Sequence, residues 1–139
     1  MKYHKPNLIP RSGRWFDTEE SGSITASWSN ASVSFFFSGS KLSFCAGKQT
    51  ERKDKDNGGT QMLAIITGPT EEIALKNVEK WRTVDPEADS EIVIFDETDG
   101  TLHERTFVEI VLIDWASTFE LSALITDDVR IQFYGAMTD

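Results

Sequence analysis

"WSNASVSFFFSGSKLSFCAGK", residues 28–48, is the most strongly patterned stretch of the chain. Val33, Phe35 and Phe37 fall on one side of an extended segment, and Ser32, Ser34 and Phe36 on the other, the period of two that marks a strand. Gly39-Ser40 then reads as a two-residue hairpin connection, because glycine takes the positive φ of a type II′ turn at no steric cost. Leu42 and Phe44 resume the apolar face on the return. The pattern predicts a hairpin with one buried face, in which Trp28 and the phenylalanines serve the core rather than a site.

The same rhythm recurs outward from this stretch. "SITASW" (23–28) alternates upstream, and "QMLAIITG" (61–68) is apolar and rich in β-branched residues before a turn at Gly68-Pro69. "EIVIF" (91–95) leads through an Asp99-Gly100 turn signal to "RTFVEIVLID" (105–114), read as its hairpin partner. "STFELSALIT" (117–126) and "VRIQFY" (129–134) alternate again, with Phe119, Leu121, Ala123 and Ile125 on one face, and Val129, Ile131 and Phe133 inward. "TEEIALKNVEKWR" (70–82) is ambiguous. Ile73, Asn77, Val78 and Trp81 share a helical face after an imperfect capping box at Thr70, yet a strand returning from the Gly68-Pro69 turn is the preferred reading. The sum is an all-β chain of about eight or nine short antiparallel strands with little or no helix, a sandwich or barrel. Residues 1–12, with Pro6 and Pro10, are expected as an irregular arm before a single β-sandwich domain spanning 13–139.

Bulk composition narrows the function classes. The 139 residues suit one domain with a sizeable core. The formal charge of −9 argues against nucleic acid and against an anionic membrane surface as partners. One cysteine, Cys45, precludes an internal disulfide, and with two histidines, His4 and His103, a closed zinc site is out of reach. Neither a metal nor another cofactor is expected. The start carries no apolar signal-peptide core, which predicts a cytoplasmic protein, or a secreted one from which a leader has been removed.

Few residues carry catalytic promise. No Gly-x-Ser-x-Gly elbow occurs, and both histidines sit in loop-like contexts where a solvated ring is the ordinary reading. Asp96, Glu97, Asp99 and Glu104 cluster around one turn, without the register of an EF-hand; a solvated acidic tip is the expectation. Glu109 is the only charge in "FVEIVLI". Facing inward, it needs a partner or a raised pKa suited to acid–base work; facing outward or ion-paired, the preferred reading, it has no special role. Four tryptophans lie near strand ends or in loops, where an indole stacks on a sugar ring or caps the core. Trp15, Trp81 and Trp115 are the candidate ligand-binding residues.

Several motifs together resemble the N-terminal domain of family 2 carbohydrate esterases and their fungal GDSL-type relatives. Gly13-Arg14-Trp15 matches the family's opening Gly-Arg followed by an aromatic or threonine, and Trp28-Ser29-Asn30-Ala31-Ser32 stands at its Trp-Pro-Gly-Ser-like bend. Phe37-Ser38-Gly39-Ser40-Lys41-Leu42 matches its Phe-x-Gly-Ser/Thr-x-Leu, and Arg130-Ile131-Gln132-Phe133-Tyr134-Gly135 its final strand. The resemblance implies a jelly-roll β-sandwich of the kind that packs, in that family, on a hydrolase domain of the GDSL (SGNH) type. Ala136 and Met137 stand where the family has aspartate and its nucleophilic serine, so the resemblance implies a chain that does not follow the family's esterase route.

Three functions follow as expectations. The first is a non-catalytic module binding a glycan or another small polar ligand. The second is a small intracellular enzyme of sandwich or lipocalin-like shape, with phenylalanines lining an internal pocket and Glu109 or Tyr134 as its polar group. The third is an accessory domain that docks on a partner or on itself through an apolar face.

Overall fold

The computed structural model describes residues 2–18, 21–52, 61–98, 101–114, 116–127 and 130–133. Trp115, Tyr134, Ala136, Met137 and the Asp99-Gly100 turn lie outside them, as do the side chains of residues 130–133. Strands β1 (Lys2–His4), β2 (Arg11–Ser12), β3 (Phe16–Thr18), β4 (Ser23–Ala26), β5 (Ser32–Gly39), β6 (Lys41–Ala46) and β7 (Glu51–Arg52) are followed by β8 (Leu63–Gly68). A short helix α1 (Glu71–Lys76) comes next, then β9 (Arg82–Val84), β10 (Glu91–Asp96), β11 (His103–Leu112), β12 (Ser117–Thr126) and β13 (Arg130–Phe133). The eight strands of four residues or more are those the alternation predicts; the extra five are two- or three-residue pieces.

Two antiparallel sheets pack face to face. One runs β10-β6-β12-β4-β3, with β1 and β7 also paired to β12; the other runs β13-β5-β11-β8-β9, with β2 on β5. Side chains of near-zero exposure fill the space between them: Val33, Phe35 and Phe37 from one sheet meet Leu42, Phe44 and Phe119 from the other. Phe119 takes the edge-to-face arrangement with both Phe44 and Trp15, at centroid separations of 6.0 and 6.3 Å. Each such fully buried side chain contributes about 1.5–3 kcal/mol.

Both expected hairpins are corrected. β5 and β6 belong to different sheets, and so do β10 and β11. Gly39 (φ +155°) turns the chain from one sheet across to the other, with the Asp127 carboxylate accepting from the Ser40 N–H (3.1 Å) and hydroxyl (2.6 Å). Alternation reports which side chains face the core, and that set is the same whether two strands lie edge to edge or stack face to face. The periodicity therefore had no access to the partner.

The expected irregular arm is also corrected. Lys2–His4 pairs antiparallel with β12, His4 Nε2 lies 2.9 Å from Thr126 Oγ1, and Ile9 is buried in the core. Three-residue strands have too few positions for a period to register. Trp28, expected in the core, is 59% exposed: it lies beyond the end of β4, with the Arg14 guanidinium 5.5 Å from its ring centroid.

The ambiguous 70–82 segment is helical rather than a returning strand. Thr70 Oγ1 accepts from the Ile73 N–H (3.1 Å), and Glu71 and Glu72 sit in the first turn, where the helix dipole favours them. A 3₁₀ turn, Val78–Lys80, follows before β9. The docking face is Ala74 alone, while Ile73 and Val78 are exposed. An amphipathic pattern built on one alanine leaves little periodic signal. Gly68 permits the approach: a β-carbon there would lie 2.8 Å from Ala74 Cβ.

Candidate functional site: a cleft on the outer face of the second sheet

Strand β11 sends Val108, Ile110 and Leu112 into the main core. Its alternate residues, Phe107, Glu109 and Val111, therefore lie on the opposite face with Ile113 just beyond the strand, beside Phe36 of β5 and Ala64 and Ile66 of β8. That outer face is itself apolar and needs cover. α1 and Trp81 supply part of it, forming a second, smaller cluster with Phe36, Ala64, Ile66, Ala74 and Phe107. What they leave open is a cleft of about 230 Å³. Trp81 and Leu75 wall it, Ala64, Ile66, Val111 and Ile113 give it an apolar lining, and Asn30, Ser32 and Glu109 supply polar atoms.

Trp81 is half-buried, and its indole N–H donates to the Ala74 carbonyl at 3.0 Å, tying the ring to the end of α1. Glu109 lies at the centre of three strands, opposite Ser34 on one side and Ile66 on the other. It faces away from the main core, as preferred from the sequence, but not into open water. Burial pushes its pKa up, the Glu71 carboxylate of α1 pushes it further, and a hydrogen bond with Ser32 opposes both. The carboxylate is thus less favourably charged here than in water.

The structure brings two candidate residues together, Trp81 and Glu109, which the sequence had assigned to different readings. Trp15 is elsewhere. Its ring packs on the main core and its indole N–H donates to the Ser12 carbonyl at 3.0 Å. Trp115 and Tyr134 lie outside the described residues. The phenylalanines expected to line an internal pocket, Phe35, Phe37, Phe44 and Phe119, instead fill the core. His103 is not merely solvated: it stacks on Phe95 at 4.0 Å and lies 3.2 Å from Glu97 Oε1. Burial, and then the Glu91 carboxylate, push the half-buried Cys45 thiol up.

Other depressions are larger but differently built. One of about 400 Å³ runs beside the Arg52–Asp85 ion pair (2.7 Å). Another, of about 360 Å³, lies over Glu120, a buried carboxylate that sequence reading missed because the alternation of β12 turns it outward. Ser23 Oγ donates to one of its oxygens at 2.8 Å and the Gln49 N–H to the other at 3.0 Å, so the carboxylate ties β4 to the 47–50 turn.

No family model and no curated protein matches the sequence. Comparison of folds matches the structure of a family two carbohydrate esterase from Cellvibrio japonicus, with a TM-score of 0.62 and 17% identity. The two share a fold. The likeness covers 96% of this chain and 36% of the esterase chain, so this chain spans about a third of that protein's length. The all-β sandwich that the sequence resemblance implies is observed, as two packed antiparallel sheets.

Proposed function

We propose that this chain is a non-catalytic, carbohydrate-related β-sandwich module whose ligand site is the Trp81–Glu109 cleft. The observation that carries the reading is the placement of an indole and a half-buried carboxylate in one cleft on an otherwise apolar sheet face. Sugar rings offer both an apolar face for an indole and hydroxyls for a carboxylate. The likeness to a carbohydrate esterase supports the ligand class. Met137, at the position of the family's nucleophile, supports binding without esterase chemistry. A cleft of about 230 Å³ is below the roughly 300 Å³ at which sites for drug-sized ligands begin, so it suits a single ring of a glycan.

The test is a calorimetric titration of a panel of neutral, acidic and amine-bearing oligosaccharides against the chain and its Trp81→Phe and Trp81→Ala variants. Binding to at least one glycan, weakened at least fivefold by Trp81→Ala and less by Trp81→Phe, is the expected result. No binding by any member of the panel, or binding untouched by either variant, overturns the assignment.

A further inference from the structure

Charge balance in the cleft restricts the ligand further. None of the nine residues lining it is a lysine, arginine or histidine. The one charge they carry is the Glu109 carboxylate, and the neighbouring charge that acts on it is a second carboxylate, Glu71. Two cations on nearby elements are engaged elsewhere, and Lys80, beside Trp81, is exposed and does not line the cleft. Lys76 of α1 pairs with Glu72 at 2.8 Å, and Arg105, on the same face of β11, lies over the Phe36 ring at 4.2 Å. β5 and β8 contribute only uncharged side chains to the cleft, Ser32 from one and Ala64 and Ile66 from the other. A carboxylate held among apolar groups beside a like charge gains most from a cation. Hydroxyl donors relieve the lost hydration of Glu109 but not its repulsion with Glu71. A cation relieves both, and an indole in the same cleft favours it again through its ring quadrupole.

We propose that the cleft selects a sugar ring bearing a free, protonated amine, with the ammonium set between the Glu109 carboxylate and the Trp81 ring. The inference rests on the glycan-binding reading above and names its ligand class. Asn30 and the Ser32 hydroxyl are the remaining polar groups in reach of the ring's hydroxyls. The overall charge of −9 draws such a ligand in and repels acidic sugars.

Three disaccharides of the same β-1,4 linkage separate the alternatives: the glucosamine dimer, N,N′-diacetylchitobiose and cellobiose, which carry an amine, an acetamide and a hydroxyl at the same ring position. Affinities are measured by NMR titration of the isotope-labelled chain, at a slightly acidic pH where the amine is protonated. The expected result is that the glucosamine dimer binds about tenfold more tightly than the other two, in keeping with a charge-assisted hydrogen bond. The Trp81 indole and Ser32 amide signals should move on binding. Glu109→Gln should remove that preference while leaving the melting curve cooperative, and raised salt should weaken only the amine's binding. Equal affinity for the amine and for cellobiose, or a preference that survives Glu109→Gln, overturns the inference and leaves the glycan-binding reading standing. If none of the three binds while the oligosaccharide panel yields a ligand, the inference alone falls; if the panel also fails, both fall.

Discussion

The cleft exists only if α1 lies flat on β8, and Gly68→Ala tests that contact directly. A β-carbon at position 68 would lie 2.8 Å from Ala74 Cβ, 3.0 Å from its Cα and 3.1 Å from its N. Carbon atoms rest at about 3.5–4.0 Å, so the helix must rise by roughly 0.5–1 Å. Two of the three atoms met are backbone, so no rotamer change on α1 relieves the clash. Overpacking of this kind costs about 1–3 kcal/mol, against which alanine returns about 0.4–1 kcal/mol by stiffening the unfolded chain. The net loss is about 1–2 kcal/mol. Unfolding entropy of about 2.1 cal/mol/K per residue, over 139 residues, is about 0.29 kcal/mol/K, so the melting temperature should fall by about 3–7 °C.

The assay is a thermal melt followed by circular dichroism, with the Trp81 indole signal as a local probe. Because that indole is bonded to the Ala74 carbonyl, lifting α1 should shift its resonance while leaving the Trp15 indole in place. Ala74→Gly by itself should cost about 1 kcal/mol in helix propensity. Combined with Gly68→Ala it removes one of the clashing atoms, so the double variant should be more stable than the sum of the two losses by about 0.5–1 kcal/mol. A Gly68→Ala chain that melts within 1 °C of the parent, or strict additivity in the double variant, would refute the packing of α1 on β8.

Two carboxylates should show opposite dependence on pH. Glu109 has its folded pKa raised, so the folded state binds its proton more tightly than the unfolded chain does, and stability falls as pH rises from the unfolded value through the folded one. Glu109→Gln should therefore stabilise the protein at pH 7–8, by on the order of 1 kcal/mol given solvent screening at a half-buried site, with the gain vanishing below about pH 4; urea unfolding across pH 3–8 measures it, and a destabilised variant at pH 7 would contradict the environment described. At Asp127, burial works to raise the pKa, but hydrogen bonds from Ser40 and from neighbouring backbone outweigh it and leave the group lowered. Its contribution is present above the unfolded value and lost as pH falls through the folded one. Asp127→Ala should cost about 1 kcal/mol at pH 7, and the deficit should shrink in acid; a constant deficit from pH 7 to pH 2 would show that the charge has no part in holding the Gly39-Ser40 turn.

How far the sequence could be read depended on which physical signal each feature leaves. A side chain's facing is local, since neighbours on a strand point to opposite sides. The facing of Phe35, Phe37, Leu42, Phe44 and Phe119 was thus legible, and so was the all-β class. The candidate site was legible only as separate residues. Trp81 suggested a platform and Glu109 stood out as a lone charge in an apolar strand, but nothing linked positions 28 residues apart.

The sequence by itself determined the eight longer strands and which of their faces are buried. Tertiary structure alone decided the partners. It sent β5 and β6 to opposite sheets, laid α1 on a glycine and closed the outer face of β11 around Glu109. The reason is one of range. Backbone periodicity is set between adjacent residues, whereas pairing, the docking of a one-alanine helix face and the hydration of a carboxylate depend on groups that meet only when distant segments pack.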